Sequence, residues 1–387
     1  MGLTIKFLKE NQLISILILL SLISSLRILF LPLFGDEITY SKIARNIIFF
    51  GEYSLNNKPS TITPSIPILI AVFYTKFNPI VGFVLVKLVN LLFIVIGLRY
   101  VFLFFKKLKL NREIVWSLIL LTVVNTNFVV WSLKLYPEPL LFCFFWIFIY
   151  FVSKIKYREK DLIFVLLAFM ALVLTRYVYA VLGLLVAYIL FGYFKNLIVN
   201  KDYKKVSRIV ILGSLCALPL LFWFKYIYIL EKDVDTGLSY FTRFKNNELL
   251  YNLKAGIGLI KHEEVGKVNG IPAFISLFIP ITGIRNWIIS CFLILTFTTG
   301  YLVNLKKHSS FNKLFAAIML VMTGLVLAGT GFSRYWLIML PGFLLGFYLF
   351  FNYLKLKDSL FVLLAKLIAI IYVINELRLD YVVLSKL

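Results

Sequence analysis

The sequence predicts an all-α polytopic membrane protein, and three observations carry that prediction. Of its 387 residues, 61% are hydrophobic, against roughly 45–50% in soluble domains, and the mean hydropathy is +0.93. Apolar runs of about 20 residues, the length that crosses a bilayer core, recur from one end of the chain to the other. The 41 Lys and Arg, against 18 Asp and Glu, fall in short clusters between those runs. The net charge of +23 therefore reads as loops that hold spans in place, and no nucleic-acid partner is expected.

Spans are expected near residues 12–33, 80–105, 114–133, 139–153, 162–176, 178–194, 209–229, 287–303, 314–331, 336–353 and 359–375. That is about eleven, within a range of nine to thirteen, in a single integral domain over residues 1–387. Lys6 and Lys9 precede a first run that continues past Leu31 without a small-residue cleavage site, so the first span is read as uncleaved. Five basic clusters fall on one side in this count: Lys106-Lys107-Leu108-Lys109, Lys154/Lys156/Arg158/Lys160, Lys201/Lys204/Lys205/Arg208, Lys306-Lys307 and Lys355/Lys357. The positive-inside rule makes that side cytoplasmic, in the cell membrane, and the N-terminus with it. Cys143, Cys216 and Cys291 all lie in apolar runs and suggest neither disulfides nor a thiolate metal site.

Two long loops, 34–79 and 230–286, fall on the external face. In the first, Tyr40, Ile43, Ala44, Ile47 and Ile48 recur at helical spacing, with Lys42, Arg45 and Asn46 on the other side, as in a helix lying in the membrane interface. A second interfacial helix is expected after Pro64 and Pro67, where Ile66, Leu69, Ile70 and Phe73 share a face. The chain carries no repeat of fixed period, no phosphate-cradling Gly-rich loop, no G-x-S-x-G elbow and no H-E-x-x-H. The cytoplasmic loops are too short to fold a nucleotide-using domain, so any donor is bound within the membrane or from outside.

A few polar residues stand out against this background. Asp36-Glu37 follows the first span directly, at the external surface. Asp36 can be read as the N-cap of the following helix, or as a general base that takes a proton from an incoming hydroxyl or amine. Glu138, in Leu-Tyr-Pro-Glu-Pro-Leu, opens the fourth span, where a first-turn carboxylate also favours the helix dipole. Arg176 and Arg334 lie at external span edges beside Tyr and Trp. They can snorkel to the interface, or hold a phosphate bidentately and leave the carboxylates free for chemistry. Lys87 and Arg27 fall in the external halves of their spans and are read as contributors to the same site, Arg99 as snorkelling inward, and Lys366 is not assigned. His262-Glu263-Glu264 is the other cluster with ligand chemistry, but a metal there needs a further ligand from elsewhere and a solvated polar patch accounts for it more readily.

Taken in order, these stations resemble the GT-C membrane glycosyltransferases. The acidic pair, Tyr40, Gly51-Glu52-Tyr53 and Thr63-Pro64-Ser65-Ile66-Pro67 look like the family's first external loop. Tyr136-Pro137-Glu138-Pro139 resembles its acidic residue at the fourth span, Leu174-Thr175-Arg176 its arginine at the end of the fifth, and Arg334-Tyr335 with Pro341 its C-terminal motif. The similarity is closest to the branch of protein O-mannosyltransferases and lipid A aminoarabinose transferases. It implies a GT-C-like fold and inverting transfer of a hexose or pentose from a polyprenyl-phosphate donor to a glycan, lipid or protein acceptor on the external face. Asp36 would be the catalytic base with Glu37 supporting it. Arg176, Arg334 and Tyr335 would contact the donor phosphate, and Glu138, Tyr40 and Tyr136 would shape the acceptor or sugar pocket. The chain is shorter than many members and has no soluble C-terminal domain. It shows no clear metal set beyond His262 and Glu263, and dependence on a divalent metal stays open. A lipid phosphate is already a good leaving group, so no nucleotide or cofactor is required. Two other readings share the spans and external arginines: a transporter or flippase, and a polymerase or ligase of lipid-linked glycans. The first is often built from internal repeats meeting at mid-membrane, and the second has no need of Asp36-Glu37.

Overall fold

The computed structural model describes residues 12–74, 78–154, 157–233, 249–261, 266–280, 283–305 and 309–385. Lys6, Lys9, Lys156, Lys306, Lys307, His262, Glu263 and Glu264 lie outside these residues. About 79% of the described residues are helical, and the sheet among them is a single two-stranded hairpin. The principal helices are α1 (Gln12–Ser25), α2 (Asp36–Phe50), α3 (Ser65–Tyr74), α4 (Pro79–Lys107), α5 (Arg112–Val123), α6 (Glu138–Val152) and α7 (Glu159–Thr175). They continue with α8 (Gly183–Val199), α9 (Tyr203–Asp233), α10 (Leu249–Ile257), α11 (Trp287–Leu302), α12 (Ser309–Leu327), α13 (Leu340–Tyr353) and α14 (Asp358–Leu384).

Seven helical segments among the described residues are long and apolar enough to cross a membrane: Gln12–Phe30, Pro79–Lys107, Tyr177–Val199, Tyr203–Leu230, Ser309–Leu327, Ser333–Tyr353 and Asp358–Val383. They expose a belt of large apolar side chains, among them Leu92 and Val95 of α4, Leu221 and Phe222 of α9, and Leu363 and Ile371 of α14. So much outward apolar surface is stable only against lipid. The chain is an all-α integral membrane protein.

Other expected spans are shorter or broken, for identifiable reasons. Segment 114–133 divides at Asn125, whose Oδ1 accepts from the backbone N–H groups of Asn127 and Phe128 and so starts a separate helix, Thr126–Trp131. Helix α6 has only 15 residues, but 12 of them are buried. It is the centre of the bundle, enclosed by α4, α7, α12 and the 3-10 turn Leu337–Met339, to whose Ile338 carbonyl the Trp146 Nε1–H donates at 3.0 Å. A helix apolar on all sides suits that position.

Where α11 meets α13 the backbones touch. A Cβ on Gly300 would lie 2.1 Å from the Gly346 carbonyl oxygen, and one on Gly346 2.9 Å from that of Phe297. Small residues bring membrane helices close enough for van der Waals contact to replace the hydrophobic drive that lipid removes.

The 34–79 segment forms both expected helices, α2 and α3. Tyr40 and Ala44 of α2 pack on Ile66, Ile70 and Ala71 of α3, while Lys42 and Arg45 are exposed. Between them, Ser54–Leu55 pairs with Lys58–Pro59 across a two-residue turn in which Asn56 and Asn57 both take positive φ, the geometry a tight hairpin requires.

Arg27 does not join the site region expected from its position. Its guanidinium pairs with Glu376 at 2.6 Å and with Asp380, which also accepts from Ser24. These bonds tie the end of α1 to α14, as low-dielectric surroundings demand of a charge. Lys87 is also committed: its Nζ donates to the carbonyls of Ile28 at 2.8 Å and Leu31 at 3.3 Å, which end the Arg27–Phe30 turn.

Gly300→Ala is expected to lower stability by about 1–3 kcal/mol, the usual cost of overpacking. Thermal unfolding of the detergent-purified protein measures it, and an unchanged melting curve would show that α11 and α13 do not meet this closely.

Candidate active site at the start of the central helix

Glu37 fixes the floor of the site. Its side chain is buried, and its two oxygens accept separate backbone N–H groups: Phe34 at 3.0 Å and Leu135 at 2.9 Å. One carboxylate thereby joins the turn before α2 to the segment before α6. Asp36 is not the N-cap of α2. That position belongs to Gly35, at φ 62°, and the Asp36 side chain makes no capping bond. Gly35 is required there twice over, since a Cβ would also meet the Tyr136 hydroxyl at 2.8 Å. That hydroxyl accepts from the Asp36 N–H at 3.1 Å and donates to the Phe34 carbonyl at 3.2 Å.

The Asp36 carboxylate is thus turned away from its helix, toward Arg334. Arg334 Nη2 donates to Asp36 Oδ2 at 2.9 Å, and its Nε lies 3.7 Å from Glu138 Oε1. Arg176 Nη2 bonds the same Glu138 oxygen at 3.2 Å. A chain of alternating charge results, Asp36–Arg334–Glu138–Arg176, drawn from four places in the sequence. Aromatic faces wall it. The Arg176 guanidinium carbon is 3.8 Å from the Tyr335 ring centre, and that of Arg334 is 4.7 Å from Tyr136 and 5.3 Å from Trp131. Tyr40 packs edge-on to Tyr136 with ring centres 6.3 Å apart.

Exposure separates the carboxylates. The Glu138 side chain is 1% exposed and that of Asp36 48%, so Asp36 is the one an incoming group can reach. The tyrosines are not alternative bases: burial, with Asp36 next in effect, pushes the Tyr136 phenol up to about 12 and raises Tyr40 further. Among the described residues, Glu138 Oε2, Arg176 Nη1 and Arg334 Nε are buried without a hydrogen-bond partner. Three such atoms in one cluster mark it as built to receive a polar group, because each costs about 1–3 kcal/mol otherwise.

The surrounding loop is held from several sides. Thr63 Oγ1 donates to the Thr175 carbonyl at 2.9 Å, and the Tyr177 hydroxyl to that of Thr61 at 2.7 Å. Trp223 Nε1–H of α9 in turn donates to the Tyr177 hydroxyl at 2.7 Å.

Eight of the residues singled out in the sequence, Asp36, Glu37, Tyr40, Tyr136, Glu138, Arg176, Arg334 and Tyr335, come together here, while Arg27 and Lys87 are bonded elsewhere. Lys134 and Trp131 join the eight without having been expected. Lys134 Nζ sits 4.4 Å from the Trp131 ring centre and 5.9 Å from that of Tyr136. Burial lowers its pKa from the ordinary lysine value, Glu37 and Glu138 oppose that, and Arg334 adds to it. A signal was present in the sequence: Lys134 is a basic residue four positions before Glu138, in a loop that the topology expected from the sequence leaves poor in Lys and Arg. No family model matches this chain, and no curated protein matches it by sequence.

Glu37→Gln replaces an acceptor of two N–H groups with an amide whose NH2 faces one of them. It is expected to cost about 1–3 kcal/mol, whereas Asp36→Asn, at a half-exposed position, costs under about 1 kcal/mol. Comparing the thermal unfolding of the two variants checks this, and equal losses would contradict the division of roles.

Proposed function

We propose that the protein is a GT-C-like glycosyltransferase that moves a sugar from a polyprenyl-phosphate donor to an acceptor on the external side of the cell membrane. The observation that carries this reading is the half-exposed Asp36 carboxylate at the open end of an otherwise buried chain of acid and arginine. In the proposed reaction the acceptor hydroxyl oxygen bonds to the anomeric carbon from the face opposite the phosphate. The carbon–oxygen bond to phosphate breaks, its electron pair leaves with the polyprenyl phosphate, and the hydroxyl proton passes to Asp36. The configuration inverts.

Each neighbour has a part in this scheme. Arg334 holds Asp36 by Oδ2, leaving Oδ1 to receive the proton, a contribution of about 10²–10⁴ in rate for a well-placed base. Arg176 and Arg334, with Tyr335 against both guanidinium groups, balance the charge that grows on the departing phosphate. Glu138 Oε2, buried and unpartnered, accepts from a sugar hydroxyl. Tyr40 and Tyr136 border the pocket as neutral aromatic walls. Taken as crossings, Arg112–Trp131, α6, α7 and α11 join the seven long segments to make eleven spans, which puts the start of α6 and the end of α7 on one face.

Two experiments test the reading. Deleting the gene is expected to remove a sugar from a cell-surface glycan, glycolipid or protein detected by mass analysis. The wild-type gene restores it and Asp36→Asn, though inserted in the membrane, does not. An unchanged sugar profile, or restoration by Asp36→Asn, would overturn the assignment. Separately, Lys58→Cys in the hairpin, with Cys143, Cys216 and Cys291 replaced, is expected to react with a membrane-impermeant thiol reagent on intact cells; labelling only after lysis would put the site on the other face.

A further inference from the structure

Three cations line the site, and they are not equivalent. Arg334 is bonded to Asp36 and drawn to Glu138, and Arg176 is bonded to Glu138. Glu37, the remaining carboxylate, is fully engaged by the Phe34 and Leu135 N–H groups. Lys134 has no ion pair and its ammonium no hydrogen bond among the described residues; its contacts are the faces of Trp131 and Tyr136. An arriving anion has to displace bonded carboxylates from the arginines, whereas at Lys134 Glu37 and Glu138 act only from beyond bonding distance.

The ammonium is also held in place beforehand. The Lys134 carbonyl accepts from Asn90 Nδ2 at 2.6 Å, and the next residue's N–H is bonded by Glu37. Trp131 ends the short helix that Asn125 caps, and Asn125 and Asn127 anchor that helix to the carbonyls of Leu277 and Ser276. A cation fixed at both backbone and ring loses little freedom on binding a ligand. Lys134 and Arg334 share the rings of Trp131 and Tyr136. A phosphate on Lys134 therefore lies beside the Asp36–Arg334 pair, as a sugar phosphate must if Asp36 is to act at the adjoining carbon.

Building on the glycosyltransferase reading, we propose that Lys134, seated on Trp131, is the docking point of the donor's phosphate, with Arg176 and Arg334 turning to that phosphate only as charge develops on it.

The test measures binding without turnover. The full chain in phosphatidylcholine nanodiscs is titrated with a polyprenyl monophosphate, with the corresponding polyprenol, and with inorganic phosphate as competitor. Wild type is expected to bind the lipid phosphate at least tenfold more tightly than the alcohol, as a charge-assisted contact gives, with little displacement by inorganic phosphate. Lys134→Gln is expected to lose that preference, Lys134→Arg to keep most of it, and Lys58→Gln to keep all of it. A Lys134→Gln protein that retains the preference overturns the Lys134 assignment and leaves the donor class standing. A wild-type protein that does not distinguish lipid phosphate from alcohol overturns the donor class and this subsite together, and displacement by inorganic phosphate overturns the lipid as source. A matching thermal unfolding curve for Lys134→Gln shows that its loss is one of binding; if that variant does not fold, loss of the preference in the Lys134→Arg protein overturns the assignment instead.

Discussion

A carboxylate placed at the start of an apolar central helix has to be neutralised, and much of the site follows from that requirement. Glu138 is buried, and removing one partner from such a group costs about 3–5 kcal/mol. It draws Arg176 from the end of α7 and Arg334 from the turn before α13. Each guanidinium then needs a surface that does not compete for its protons, and Tyr335, Tyr136 and Trp131 supply aromatic faces. Two arginines to one buried carboxylate leave a positive excess, and Arg334 meets it by reaching Asp36. The charge chain is one solution to one electrostatic demand.

The acidic pair divides its work. Adjacent residues in a helix point about 100° apart, so one carboxylate can face the protein while the other faces the opening. Glu37 turns inward and takes up two backbone N–H groups from segments about a hundred residues apart; Asp36 turns outward to Arg334. The first makes the second's position dependable.

Much of the fold was legible in the sequence because composition and periodicity are local signals. Tyr40, Ile43 and Ala44 at helical spacing give the buried face of α2, and Pro64 gives the start of α3. The candidate residues were legible as polar exceptions in apolar surroundings. Their partners were not. Arg27 looks like a site residue until Glu376 and Asp380, some 350 positions on, are brought beside it. Asp36 looks like a helix cap until Gly35 takes positive φ under the Tyr136 hydroxyl. Lys134 is marked in the sequence only by its place four positions before Glu138; that its ammonium meets Trp131 depends on how the Asn125-capped turn folds.

The contact between Asn90 and the Lys134 carbonyl sets a depth. Asn90 is the twelfth residue of α4, so eleven residues of the helix precede that level, about 16 Å at 1.5 Å per residue along its axis. In the proposed topology these eleven residues lie on the external side of Asn90, so the level at which Lys134 is held falls below the start of α4. A hydrocarbon core is roughly 30 Å thick, so under the proposed function a donor on a lipid anchor would meet Lys134 while its tail stays in the bilayer.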